Sequence, residues 1–172
     1  KLKTLVASYQ DLSSAACVRP SLTEADIVLI AYPDQVDEHG VKPLVALKSF
    51  LDQWAKPLVS AVHVLPVHPY SSDDGFSVLD YRVIHPDFGS WADIEALGKD
   101  YQLILDAVIN HVSQHSVWFN AYKSNTPPYD QYFIETDEAF DVSKVYRARA
   151  TPLLAPVQTV RGERNVWTSF SP

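Results

Sequence analysis

Three short apolar runs, separated by stretches of helical period, constrain this chain more than any other feature. The first is Ile27-Val28-Leu29-Ile30-Ala31, closed by Asp26 before it and Tyr32-Pro33-Asp34 after it. Val59–Val67 and Leu103–Ile109 are the second and third, and Pro66 and Pro69 end the second. Continuous apolar runs this short fit strands buried on both faces, as in a parallel sheet covered by helices. Between the first two runs, Leu44, Leu47, Leu51 and Trp54 recur at steps of three and four, which places them on one helical face until Pro57. Before the third run, Ser90-Trp91-Ala92-Asp93 has the pattern of a capping box. Ile94 and Leu97 supply the buried face there, and Gly98 ends the helix.

Strand, helix, strand, helix, strand makes two consecutive βαβ units, which wind right-handed. Two architectures use such units, an open doubly wound sheet and a closed (β/α)8 barrel. A doubly wound nucleotide-binding sheet carries a Gly-rich turn after its first strand, but here that turn is Tyr32-Pro33-Asp34-Gln35, with no glycine before Gly40. The barrel fits better, although eight units occupy about 250 residues. After Asn110 the βαβ rhythm stops, and Pro127, Pro128, Pro152 and Pro156 break the segment. The expected fold is therefore the N-terminal part of a TIM barrel, its first three strands, with a small irregular domain inserted after the third. Leu2, Leu5, Val6 and Tyr9 read as a short helix, and Val18–Ala25 as a connector. The expected division is 1–25 for helix and connector, 26–120 for the barrel units, and 121–172 for the inserted domain.

Composition narrows the function. Net charge is −7, from 14 Lys+Arg against 21 Asp+Glu, without the concentrated basic patch that nucleic acid or an anionic membrane needs. No apolar run approaches the roughly 18 residues of a membrane span. The single Cys17 leaves no internal disulfide framework and no Cys-rich zinc site. With no signal-peptide pattern at its start, a cytoplasmic location is the expectation. The chain begins at Lys1 and contains no Met, so a piece of something longer is the expectation.

Polar groups at the C-terminal strand ends are where barrel active sites sit. Asp106, Asn110 and His111 end the third run, either as local caps or as site residues. Asp73-Asp74-Gly75-Phe76 lies in the long loop His68–Gly89. As Asp-Gly it is ordinary turn chemistry. As a carboxylate beside an aromatic ring it is suited to two sugar hydroxyls and a pyranose face. His63, His68 and His85 lack the spacing of metal ligands on one element, so no zinc site is expected. Arg147 with Arg149 and Arg161 with Arg164 are solvated pairs or phosphate forks.

Together these segments resemble glycoside hydrolase family 13, the α-amylase family, and within it the sucrose-phosphorylase-like branch. Asp106-Ala-Val-Ile-Asn110-His111 is similar to the family's DxxxNH region at the end of strand three. Leu65-Pro66, Asp73-Asp74-Gly75-Phe76, Asp80-Tyr81 and Pro86-Asp87-Phe88-Gly89 resemble its loop after strand two. Leu29–Asp34, Tyr146-Arg147-Ala148-Arg149 and Val166–Pro172 carry the likeness to the branch.

The resemblance implies that Asp73 and His111 hydrogen-bond a glucosyl unit, with Phe76 and Phe170 as aromatic walls. It makes Asp106 and Asn110 mainly structural and implies no metal or other cofactor. Tyr146 and Arg149 fall on the acceptor side, with Arg149 on phosphate. The implied activity is that of a glucoside phosphorylase, which moves an α-glucosyl group from sucrose or a related glucoside to inorganic phosphate through a covalent intermediate. A hydrolase or transglucosidase of the same family, and a catalytically dead sugar-binding fragment, are the alternatives. The family's nucleophile and general acid follow strands four and five, so both are expected beyond Pro172. The 172 residues alone are accordingly expected to be inactive and, with an open sheet edge, prone to associate.

Overall fold

The computed structural model describes residues 3, 4, 7, 22–72, 75–137, 140–147 and 150–169. Lys3, Thr4 and Ala7 are helical and exposed; the rest of the expected first helix, and the first half of the connector, lie outside the described residues.

The five elements expected from the apolar runs are present. Strand β1 is Val28–Ala31, helix α1 is Pro43–Phe50, β2 is Ala61–Val64, α2 is Trp91–Gly98 and β3 is Gln102–Leu105. The strands form a parallel sheet in the order β1-β2-β3. Val28, Ala61 and Gln102 lie in register, as do Ala31, Val64 and Leu105 three residues on. Alternate side chains then line one face, Leu29, Ala31, Val62, Val64, Leu103 and Leu105, and this face packs on Leu44, Leu47, Leu51, Ile94 and Leu97.

The other face corrects the expectation of strands buried on both sides. Ile30 is 64% exposed, and Val28 and Ile104 are exposed beside it. Among the described residues α1 and α2 both lie on the first face, and on the second only Ala61 of the central strand is buried. An all-apolar run carries no alternation and so does not tell which of its two faces has a helix on it.

Helix α1 begins with Pro43 at its first position, where the missing N–H costs no hydrogen bond. Leu44, Leu47 and Leu51 are buried as expected, but Trp54 is 62% exposed. After Phe50 the chain widens into a π-turn over Leu51–Ala55, closed by the Lys56 N–H donating to the Leu51 carbonyl at 2.8 Å. A wider turn advances fewer degrees per residue, and that lag rotates Trp54 off the buried stripe.

The capping box of α2 forms, with the Asp93 carboxylate accepting from the Ser90 N–H and the Ser90 hydroxyl at 2.7 Å each. Lys48 and Lys56 both reach Asp100 at 2.7 Å and pin the turn after α2 to α1. These hydrogen bonds, Lys48's first, hold the Asp100 carboxyl at about 2. A depressed carboxyl favours the folded state above its ordinary value, and that contribution is lost as pH falls towards about 2.

The third strand is shorter than its apolar run. It ends at Leu105, and the Ile109 N–H donates to the Ala107 carbonyl at 2.9 Å, a tight turn that breaks strand alternation before Asn110. Beyond it come α3 (Val117–Lys123) and a single 3-10 turn (Tyr129–Gln131). Then β4 (Glu135–Thr136), β5 (Leu154–Thr159) and β6 (Gly162–Trp167) form an antiparallel sheet ordered β4-β6-β5. Pro156 does not break this segment, because β5 is an edge strand that can spare an N–H. A two-residue turn, Val160-Arg161, joins β5 to β6, with Gly162 following at φ 94°.

The burial pattern makes a prediction. Leu47→Ala should cost roughly 2–5 kcal/mol, as for a buried leucine, and Trp54→Ala less than about 1 kcal/mol. Urea unfolding of the two variants checks this, and equal costs would place Trp54 on the buried face after all.

Candidate functional site

Both β2 and β3 run out at the same end of the parallel sheet, and their following loops meet there. The loop after β2 folds back on itself. Tyr70 bridges Val78, and the Ser71 N–H donates to the Ser77 carbonyl at 3.0 Å. Gly75 sits at the tip with φ 76°, and a Cβ there would come within 2.5 Å of Pro66 Cβ, so this position requires glycine on two counts.

Five hydrogen-bond contacts stitch this loop to the one after β3. The Ser113 N–H donates to the Val78 carbonyl at 2.9 Å, and the Ser71 and Ser113 hydroxyls bond at 2.6 Å. His111 Nε2 donates to the Phe76 carbonyl at 2.9 Å. The Tyr81 hydroxyl lies 2.6 Å from both the Val108 and His111 carbonyls, so its one proton is shared between them. Burial pushes the Tyr81 phenol up from its ordinary value, which keeps it a neutral donor. Its ring is held between His68 and Trp118, with centroids at 5.8 and 5.2 Å.

A cleft of about 1050 Å³ opens between these two loops, α3 and the antiparallel sheet. Phe76 and His111 stand on its wall together, and Phe76 is 41% exposed. Asn110 lines it too, and its carbonyl accepts from Ser169 Oγ at 3.3 Å. Asp106 points elsewhere. Its carboxylate takes the Nε2–H of His63 at 2.9 Å, across the second face of the parallel sheet. Tyr146 is 92% exposed and is not part of the cleft wall. Asp73, Arg149 and Phe170 lie outside the described residues, although Thr168 and Ser169, just before Phe170, line the cleft.

Sequence reasoning missed most of the aromatic wall, namely Trp118, Tyr132, Phe133 and Trp167. One signal was there to use. Ser116 precedes Val117-Trp118-Phe119 and caps α3, its Oγ accepting from the Phe119 N–H at 3.1 Å. Trp167 and its neighbours arrive on β6, which has no readable period.

Chemically the wall is neutral. Among its described residues there is no Asp, Glu, Lys or Arg; they are serines and a threonine, two amides, two histidines, aromatic rings and aliphatic side chains such as Ile109, Val112 and Val157. Such a surface suits an uncharged polyhydroxy ligand with apolar ring faces. Among the described residues no three His, Cys, Asp or Glu side chains converge where a metal ion could be held. No helix among them is long and apolar enough to cross a membrane.

A family model described as alpha amylase, catalytic domain, matches residues 49–154. The chain is 45% identical over 150 residues to the glucosylglycerate phosphorylase of Allomeiothermus silvanus, which covers 87% of this chain and 27% of that protein. It is 30% identical over 155 residues to the sucrose 6(F)-phosphate phosphorylase of Thermoanaerobacterium thermosaccharolyticum, covering 84% and 31%. The crystal structure of sucrose 6F-phosphate phosphorylase from Thermoanaerobacter thermosaccharolyticum superposes with a TM-score of 0.73 at 27% identity, over 90% of this chain and 33% of that one. The chain thus spans about a third or less of the proteins it matches, and its parallel sheet and two covering helices are part of a TIM barrel. By its sequence and by its fold, the chain belongs to glycoside hydrolase family 13, the α-amylase family, alongside the sucrose-phosphorylase-like enzymes.

Proposed function

We propose that this chain is the N-terminal part of a retaining glucoside phosphorylase, with residues 26–120 in its barrel and 121–172 in its domain B. The observation that carries the reading is the meeting of Phe76 and His111, from different loops, on a cleft wall whose described residues include no Asp, Glu, Lys or Arg. A glucosyl unit has the matching chemistry. Asp73 and His111 would hold its hydroxyls, and Phe76 and Phe170 its ring faces. The higher identity to a glucosylglycerate phosphorylase than to a sucrose 6(F)-phosphate phosphorylase favours glycerate over a fructosyl acceptor.

The chemistry takes two displacements. A carboxylate attacks the anomeric carbon while a carboxylic acid protonates the departing glycerate oxygen, and the glycosidic bond breaks. A phosphate oxygen then attacks the same carbon, gives its proton to the acid/base and releases the carboxylate as α-glucose 1-phosphate forms. The two carboxyl groups of retaining enzymes stand about 5–5.5 Å apart. Both are proposed to lie beyond Pro172, so the 172 residues supply binding groups and are inactive alone. Phosphate is a dianion, and the described residues of the wall include no Lys or Arg for it. Arg149, beside Tyr146 in sequence, is the proposed fork for it.

Product analysis tests this. The full-length enzyme, given α-glucosylglycerate and phosphate, should release glucose 1-phosphate, and Arg149→Ala should raise the KM for phosphate and shift product towards free glucose. Free glucose as the sole product of the unaltered enzyme would make it a hydrolase. No turnover of any glucoside would leave a sugar-binding protein.

His111 gives a second test. Its Nε2–H, now on the Phe76 carbonyl, is the proton for which a glucosyl hydroxyl would compete. A donor that strengthens its bond as charge develops is worth about 10²–10³ in rate. His111→Ala should therefore lower kcat by about that factor. A kcat near the unaltered value would reduce His111 to a loop tie.

A further inference from the structure

We infer that Arg147 is a positioning residue, whose guanidinium pins the loop of the acceptor side to the cleft wall at Thr168 and Ser169. The functional consequence rests on the phosphorylase reading; the geometry does not. From Phe140 to Tyr146 every residue is exposed, and Arg147 is the first to become half-buried. Among the described residues the backbone hydrogen bonds along this stretch are local, Phe140 N–H to the Asp137 carbonyl and Val145 N–H to the Val142 carbonyl. Neither fastens the loop to the sheet.

Arg147 does. Its Nε donates to the Thr151 carbonyl at 2.7 Å and its Nη2 to Thr151 Oγ1 at 2.9 Å. Its Nη1 reaches the other way, to the Thr168 carbonyl at 2.7 Å and the Ser169 carbonyl at 3.3 Å. One planar fork therefore bridges two stretches of backbone. The far stretch is fixed in turn. The Thr168 N–H donates to the Leu153 carbonyl at 2.7 Å, and Ser169 Oγ donates to the carbonyl of Asn110, the neighbour of His111.

The contact thus runs from the exposed loop through the end of β6 to the loop after β3. Both Thr168 and Ser169 line the cleft, whereas Tyr146 next to Arg147 does not. With these donors aimed at three carbonyls and the Thr151 hydroxyl, Arg147 holds protein. What it sets is the course of the chain at Tyr146 and Arg147, the residues that precede Arg149 in the sequence. Lysine, a point charge on a flexible stem, cannot bridge both sides at once.

The test varies phosphate in the full-length enzyme carrying Arg147→Ala or Arg147→Lys. The KM for phosphate should rise about tenfold in both, while kcat at saturating phosphate falls by less than about threefold. Millimolar guanidinium should restore part of the loss in the alanine variant. Thr151→Val, which removes one acceptor and keeps the shape, should raise the same KM by a smaller factor, and it carries the test if neither Arg147 variant folds. An unchanged phosphate KM in a folded variant would overturn the inference. So would a fall in kcat alone that tracks lost folded protein and does not respond to guanidinium. Should the unaltered enzyme form no glucose 1-phosphate, the phosphorylase reading fails by itself. Amide exchange at Thr168 then decides the pin, about tenfold faster in Arg147→Ala if it exists and unchanged if it does not.

Discussion

Burial of one face of a three-stranded parallel sheet under two helices is the constraint on which the rest depends. Leu29, Ala31, Val62 and Val64 can meet Leu44, Leu47, Ile94 and Leu97 in only one register, because a slip of one residue would turn every side chain to the opposite face. Parallel pairing in that register makes all three strands end on one side. The loops after β2 and β3 are therefore forced together, and a cleft at that end follows from the sheet. The opposite face, with Ile30 and Ile104 exposed and His63 bonded to Asp106, is the side that turns inward when a barrel closes.

Much of this was legible in the residues. The leucine steps of α1 and the Ser90-to-Asp93 cap of α2 report burial and capping directly, since each is a local pattern with a local cause. What escaped was decided by structure at longer range. Trp54 obeyed the helical step, yet a π-turn moved it, and no residue between Leu51 and Ala55 announces that turn. Asp106–Ile109 looked like strand because it is apolar, but its backbone bonds to itself. The antiparallel sheet was unreadable for a different reason. Strand β5 contains Pro156, and β6 reads Gly-Glu-Arg-Asn-Val-Trp, so neither alternates, and both are held by pairing with each other.

The site divides the same way. Phe76 and His111 stood out through the segments that resemble a known family, and the folded chain places them on one wall. Trp118 and Tyr132 carry no motif; they matter because α3 and the turn after it pack beside Tyr81. Tyr81 explains much of the geometry. A buried phenol holding two carbonyls of the loop after β3 fixes that loop from behind, which leaves the His111 ring to face the cleft. The absence of ionised groups among the described wall residues then has a chemical meaning. In a chain of net charge −7, a wall without Asp, Glu, Lys or Arg among its described residues favours hydroxyls and ring faces over ions.

The central claim is that the two loops joined by the parallel sheet form a glucosyl-binding wall. A crystal structure of the full-length protein, its nucleophile replaced and an intact α-glucoside bound, tests it most directly. The account predicts the glucosyl ring against Phe76, with His111 Nε2 within about 3.2 Å of a sugar hydroxyl instead of the Phe76 carbonyl. A glucosyl ring bound elsewhere, with the His111 bond to Phe76 intact, would contradict it.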